Sequence, residues 1–165
     1  MCDSCGCGDT KIVPVEVHER ILAGNDRHAE HNRHHFEEDR TLAINLMGSP
    51  GSGKTALLEA TARATKGATR IGAVSGDLAT DNDATRLRAA GIPSLGITTG
   101  QACHLDAAMV HDALHDPPWG AIDWLFIENV GNLVCPAIYD LGQRANVVAL
   151  SVTESATTFA RWPRS

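Results

Sequence analysis

From Thr41 onward, short apolar runs alternate with stretches of helical composition. "TLAINLM" (41–47) precedes "KTALLEATARATKG" (54–67), "TRIGAVSGD" (69–77) precedes "NDATRLRAAG" (82–91), and "PSLGITTG" (93–100) precedes "HLDAAMVHDALHD" (104–116). "AIDWLFIEN" (121–129) and "ANVVALSVT" (145–153) supply two further apolar runs. Runs this short, bounded by turn residues, read as buried strands, and the segments between them read as helices closed by glycines such as Gly91. Five strands interleaved with helices predict βαβ units, right-handed crossovers and an α/β fold. The mostly parallel sheet is expected to be covered on both faces, with ligands gathered at the carboxyl ends of its strands.

Residues 1–40 break this pattern. A Cys/Gly head is followed by "KIVPVEVHERILAGN" and then by the polar run "DRHAEHNRHHFEEDR". That run offers almost nothing apolar to bury, so it predicts a mobile arm or an exposed helix. The expected organisation is an N-terminal arm over 1–40 and one α/β domain over 41–165.

Composition changes this picture only at the edges. The 165 residues are 43% apolar with a net charge of −6, enough for one domain with a core and unsuited to sequence-independent nucleic-acid binding. No run approaches the ~20 apolar residues that span a bilayer, and the N-terminus lacks a signal-peptide core, so a cytoplasmic protein without membrane partners is expected. The cysteines and histidines are more informative. Three of five cysteines crowd into "CDSCGC" as Cys2, Cys5 and Cys7, and five of eight histidines lie between His18 and His35. In a reducing compartment such clustering favours metal over disulfides.

"GSPGSGKT" (Gly48, Ser49, Pro50, Gly51, Ser52, Gly53, Lys54, Thr55) matches G-x-x-x-x-G-K-[ST] in full, between a predicted strand and a predicted helix. Its backbone N–H groups can converge on phosphate oxygens at a helix N-terminus. Lys54 would reach the β and γ phosphates, and Thr55 would place its hydroxyl on Mg²⁺. Together these features indicate a P-loop nucleotide hydrolase with a three-layer fold. Hydrolysis needs acids beside the metal, and the strand ends offer Asp77 and Glu128, so the candidate catalytic set is Lys54, Asp77 and Glu128. Asp81 and Asp83 in "TDNDAT" read as helix-start residues rather than catalysts.

A second ligand is suggested by Cys135, seven residues after Glu128 in "ENVGNLVCP". Cys103 and His104 follow the third strand and Cys135 the fourth, so both loops open on the same edge of the sheet. Two thiolates and an imidazole suit Zn²⁺ or Ni²⁺ rather than Mg²⁺ or Ca²⁺. Spacing alone equally permits buried structural cysteines with a helix-capping histidine. His111 and His115, at i and i+4 on the third helix of the domain, read as surface residues, the alternative being an extension of this site; His28, His31 and His35 share one helix face, with His34 beside them.

"GSPGSGKT", "GDLATDNDATRLRAAGIP", "TGQACHLDA" and "IENVGNLVCP", in this order after "CxxCGCG", resemble the HypB family of hydrogenase-maturation GTPases over Met1 to about Glu154. The resemblance implies GTP hydrolysis coupled to insertion of nickel into the large subunit of [NiFe]-hydrogenase. It also implies a homodimer across a Cys103, His104 and Cys135 metal site, and work alongside a nickel-binding accessory protein. It implies a separate nickel or zinc site at Cys2, Cys5 and Cys7. The family pattern continues past "SVTE" into a guanine-reading [NT]-K-x-D element, which "SATTFARWPRS" does not contain; a fragment or frameshift with a sheet shortened on its C-terminal side is expected. Two alternatives remain at this stage: a non-hydrolysing nickel or zinc carrier, and a small-molecule P-loop kinase.

Overall fold

The computed structural model describes residues 15–78 and 81–151. Among the described residues, four α-helices and five strands run in chain order, α1 (Val15–Glu38), β1 (Leu42–Met47), α2 (Lys54–Thr65), β2 (Ile71–Asp77), α3 (Asn82–Ala89), β3 (Ser94–Thr98), α4 (Ala107–His115), β4 (Trp124–Glu128) and β5 (Ala145–Val148), with one 3-10 turn at Cys135–Ala137. The strands form one sheet in the order β3-β2-β4-β1-β5, and every ladder is parallel. All five apolar runs become strands, and the three expected helices after β1, β2 and β3 are present.

Alternation along the strands divides the core in two. Ala43, Val74, Leu125 and Ile127 point to one face and pack with Phe36 of α1 and Val110 and Ala113 of α4. Leu46, Ile71, Ala73 and Phe126 point to the other and pack with Leu58 of α2 and Leu87 of α3. Because both faces are covered, the central strands carry continuous apolar runs with little polar alternation. β5 forms one edge, with Ala145, Asn146 and Val147 exposed.

The structure corrects the reading of the polar run 26–40 as a mobile arm or exposed helix: most of it lies in α1, which docks on α4. Its buried stripe is Asn25, Ala29, Asn32 and Phe36, spaced four, three and four residues apart, as one helix face requires. Two of the four are asparagines, so a count of apolar residues misses the stripe. Their amides replace apolar area with directed bonds. The Asn25 amide donates to Asp140 O (2.8 Å) and its Oδ1 accepts from Ala107 N (2.9 Å), a donor that would otherwise be left open at the start of α4. Asn32 donates to Ala107 O (2.9 Å) and Leu141 O (3.1 Å). Gly142, at φ +85°, passes directly under this stripe, where a Cβ would lie 2.5 Å from the Ala29 carbonyl oxygen. Among the described residues no helix is long and apolar enough to cross a membrane.

At the amino ends of the adjacent strands β2 and β4, Arg70 clamps Asp123 with its guanidinium (2.6 and 3.2 Å) and its backbone N–H (2.8 Å). These bonds hold the Asp123 carboxyl down at about 2. The unfolded chain binds a proton there at about 3.9, so between those values the unfolded state is the more protonated. The pair therefore contributes stability above about pH 4 and loses it as pH falls towards 2. Urea unfolding across this range, compared with Asp123→Asn, is expected to show a smaller acid loss in the variant.

Candidate nucleotide site and adjoining metal centre

β1 ends in the turn that opens α2. Gly51 and Gly53 lie at φ +76° and +92°, angles that side-chain-bearing residues rarely adopt, and Gly53 caps the helix. Lys54 folds back into this turn, its ammonium donating to the carbonyls of Gly48 (3.1 Å) and Ser49 (3.4 Å). A cleft of about 390 Å³ opens in front of the turn, lined by Pro50, Lys54, Thr55, Asp77, Asp83 and Glu128 among others. It lies at the carboxyl ends of β1 and β4, where strand order reverses and such folds take ligands.

Thr55 is where the acids meet. Its hydroxyl lies 2.8 Å from Glu128 Oε1 and 3.1 Å from Asp83 Oδ1. One hydroxyl proton cannot satisfy both carboxylates. Glu128 Oε2 is buried without any partner, and burial, with a smaller push from the Asp83 charge, raises the Glu128 carboxyl above its usual range. Two oxygens from separate acids around one hydroxyl, with the second Glu128 oxygen orphaned beside them, form an oxygen donor set that fits Mg²⁺. Asp83 was expected only as a helix-start residue. It does stand at the helix start, as Asp81 does: Asp81 takes the N-cap position and pairs with Arg88, while Asp83, in the first turn of α3, also reaches Thr55. Asp77 lines the same cleft, and its Oδ1 accepts from Leu78 N at 2.6 Å.

The second site lies one loop away. Cys103 Sγ is 2.9 Å from Cys135 Sγ and 3.8 Å from His104 Nδ1, and one ligand atom from each residue falls within a 4.8 Å circle. The sulfurs are too far apart for a disulfide and close enough to share one cation. Contact with Cys135, then burial, pushes the Cys103 thiol up. His104 stacks on Tyr139 with ring centres 3.9 Å apart, and burial lowers its basicity.

β3 and β4 are not neighbours; β2 lies between them. The loop after β3 reaches β4 by folding over the end of β2, beginning with Thr99 N donating to Asp77 O (2.8 Å). Gly76 makes the crossing possible: a Cβ there would stand 2.7–2.9 Å from Leu105, which is fully buried. Gly76→Ala is expected to destabilise the fold by about 1–3 kcal/mol through overpacking. It should also weaken metal binding several-fold, because Leu105 lies two residues from Cys103. Thermal unfolding and a metal titration of the same variant check both effects.

The segment from Glu128 to Cys135 touches both sites. Asn129 Oδ1 accepts from Leu105 N (2.9 Å), next to His104. Asn132 forms a backbone bridge with Gly48 of the phosphate turn, and its amide donates to Cys103 O (3.4 Å). Gly131 passes so close to Pro50 that a Cβ would lie 2.8 Å from the proline ring. Neither asparagine was singled out in the sequence, where only the position of "ENVGN" after a strand hinted at them.

The description "CobW/HypB/UreG, nucleotide-binding domain" fits residues 42–156, a span that holds the phosphate turn, the acids and the Cys103, His104 and Cys135 trio. The solved HypB of Archaeoglobus fulgidus superimposes with a TM-score of 0.76 at 44% identity, covering 85% of this chain and 68% of that one. The chain belongs to the HypB family. The HypB structure from Helicobacter pylori, described as a complex with nickel, matches with a TM-score of 0.70 at 41% identity, over 76% of this chain and 59% of that one. The hydrogenase maturation factor HypB of Rhizobium leguminosarum bv. viciae is 48% identical over 160 residues, 96% of this chain and 52% of that protein. The chain thus spans about half the length of the curated HypB proteins it matches. The expected HypB metal residues Cys2, Cys5 and Cys7 lie outside the described residues, as does the segment after Glu154.

Proposed function

We infer that this chain is a GTP-hydrolysing, nickel-handling module of hydrogenase maturation, in which hydrolysis changes the hold on nickel at Cys103, His104 and Cys135. One observation carries the reading: Asn132 pairs with Gly48 of the phosphate turn and with the Cys103 carbonyl, so any shift of that turn reaches a metal-binding loop. The family supports GTP as the nucleotide and nickel as the cargo.

Lys54 and the N–H groups of residues 48–55 bind and orient the triphosphate. Lys54 exchanges the carbonyls of Gly48 and Ser49 for phosphate oxygens, which releases the turn. Thr55, Asp83 and Glu128 would hold Mg²⁺, which supplies charge neutralisation on the phosphates when bound. Asp77, lining the same cleft, is placed to orient the attacking water. Among the described residues, the metal site has three protein ligands. A second copy presenting the same trio across a two-fold axis completes the set, and the exposed Val134 and Ile138 on either side of Cys135 supply an apolar rim for that contact. The nickel-binding accessory protein and the hydrogenase large-subunit precursor are the proposed source and acceptor.

The test is the nickel dissociation constant of the chain without nucleotide, with GDP and with a non-hydrolysable GTP analogue, alongside GTPase rates with and without Ni²⁺. A 5- to 150-fold change in nickel affinity between nucleotide states is expected, with a reciprocal effect of Ni²⁺ on nucleotide affinity. Equal nickel affinity in all three states, without hydrolysis, would leave a nickel carrier in place of the switch.

A further inference from the structure

Five of the eight histidines lie at one place, away from the thiolates. His28, His31 and His35 project from α1 at i, i+3 and i+7, and His111 and His115 from α4 at i and i+4. Docking of α1 on α4 brings the two sets together. The rings of His28, His31 and His35 lie 5.8, 6.1 and 5.8 Å from that of His111, and the His115 ring lies 4.6 Å from it.

His111 is held in a single protonation form by its neighbour. The Asn32 amide nitrogen gives both of its hydrogens to carbonyls, Ala107 O and Leu141 O, so Asn32 Oδ1 is left to face His111 Nδ1 at 3.1 Å. An acceptor there requires the His111 proton on Nδ1 and leaves the lone pair on Nε2. A buried carbonyl-type oxygen fixing the remote N–H of an imidazole is the usual support for a metal-binding histidine. The freed Nε2 points at the Nε2 of His115, 3.2 Å away. With metal–nitrogen bonds of about 2.0–2.1 Å, that separation gives a ligand angle of roughly 100°, between the square and tetrahedral values.

We propose that the facing sides of α1 and α4 form a second transition-metal site. The Nε2 atoms of His111 and His115 are its fixed ligands, and the α1 histidines are exchangeable further ones, for a borderline divalent cation such as Ni²⁺ or Zn²⁺. Cis imidazoles on one metal have ring centres roughly 4.5–5.2 Å apart. The α4 pair already satisfies this, and the three α1 rings reach it by a change of rotamer that exposed side chains make freely. His28, His31, His35 and His115 are all exposed, so the site loads and empties without unfolding. His28 and His31 also line a cavity of about 530 Å³ together with Tyr139, the ring that stacks on His104. One aromatic side chain therefore joins this cavity to the thiolate trio. The site is independent of nucleotide and of the switch proposed above.

The experiment is equilibrium dialysis of the full chain against Ni²⁺ alone, for wild type and His115→Ala, with thiolate–nickel absorption recorded in parallel. His115 is exposed and holds no buried bond, so its removal leaves the fold intact. The variant is expected to lose one equivalent of exchangeable Ni²⁺, or bind it at least tenfold more weakly, with the thiolate band at full amplitude. Ni²⁺ should also raise the thermal midpoint of wild type more than that of His115→Ala, because it cross-links α1 to α4. The triple variant His28→Ala/His31→Ala/His35→Ala should weaken the same equivalent by a smaller factor. Wild-type stoichiometry and affinity in His115→Ala would overturn the site, and an unchanged triple variant would overturn the part assigned to α1.

Discussion

Asp83→Asn is expected to reduce Mg²⁺-dependent GTP hydrolysis by about 10²-fold or more, while Asp81→Asn, two residues away, changes it little. Asp83 and Glu128 both aim an oxygen at the Thr55 hydroxyl, and only a cation can satisfy both as carboxylates. An asparagine keeps the shape and removes the charge. It can also donate a hydrogen bond towards Glu128, so the metal-free variant should unfold at a higher temperature than wild type even as activity falls. A rise in stability coupled to a loss of activity is the mark of an acid pair kept strained for a metal. Single-turnover hydrolysis across a Mg²⁺ titration, with melting curves in EDTA, reads both effects. Wild-type turnover in Asp83→Asn would leave Thr55 and Glu128 as the only metal-side groups.

Asp83 also marks a boundary of what the chain discloses about itself. The phosphate turn is legible because its requirements are local: glycines for left-handed angles, then a lysine and a hydroxyl at the first turn of a helix. Glu128 is legible because it ends an apolar run. Asp83 sits inside a helix, and its reach to Thr55 depends on how α3 packs against α2, which no spacing rule supplies. The thiolate trio lies between these cases. Parallel topology places both loops on one edge, as the residue order suggests, but closing the distance needs Leu105 to lie over Gly76, a packing detail visible only in the structure. The same holds for α1. Its stripe of Asn25, Ala29, Asn32 and Phe36 has helical spacing, yet two members are polar and earn their burial through carbonyls far along the chain.

Cys135→Ser should weaken nickel binding to the described trio by on the order of 10²-fold or more, since even loss of a hydrogen bond that merely supports a ligand costs about 10–100-fold. Serine conserves volume but does not ionise at neutral pH, so the site keeps its shape and loses one of two thiolates. Asn132→Ala makes the sharper comparison. It leaves all three ligands in place and removes the amide that joins Cys103 to the segment paired with Gly48, together with the bond that amide accepts from Val134 N. Its nickel affinity without nucleotide is expected to stay within about tenfold of wild type, the low end of the cost of losing such a supporting bond. The difference between its GDP and GTP-analogue affinities should shrink. Linkage demands that the effect of nickel on nucleotide affinity shrink by the same factor. Calorimetric titration of each ligand in the presence of the other measures both halves. Full coupling in Asn132→Ala would mean that the signal passes by another route, with the Asn129 contact to Leu105 the next path to cut.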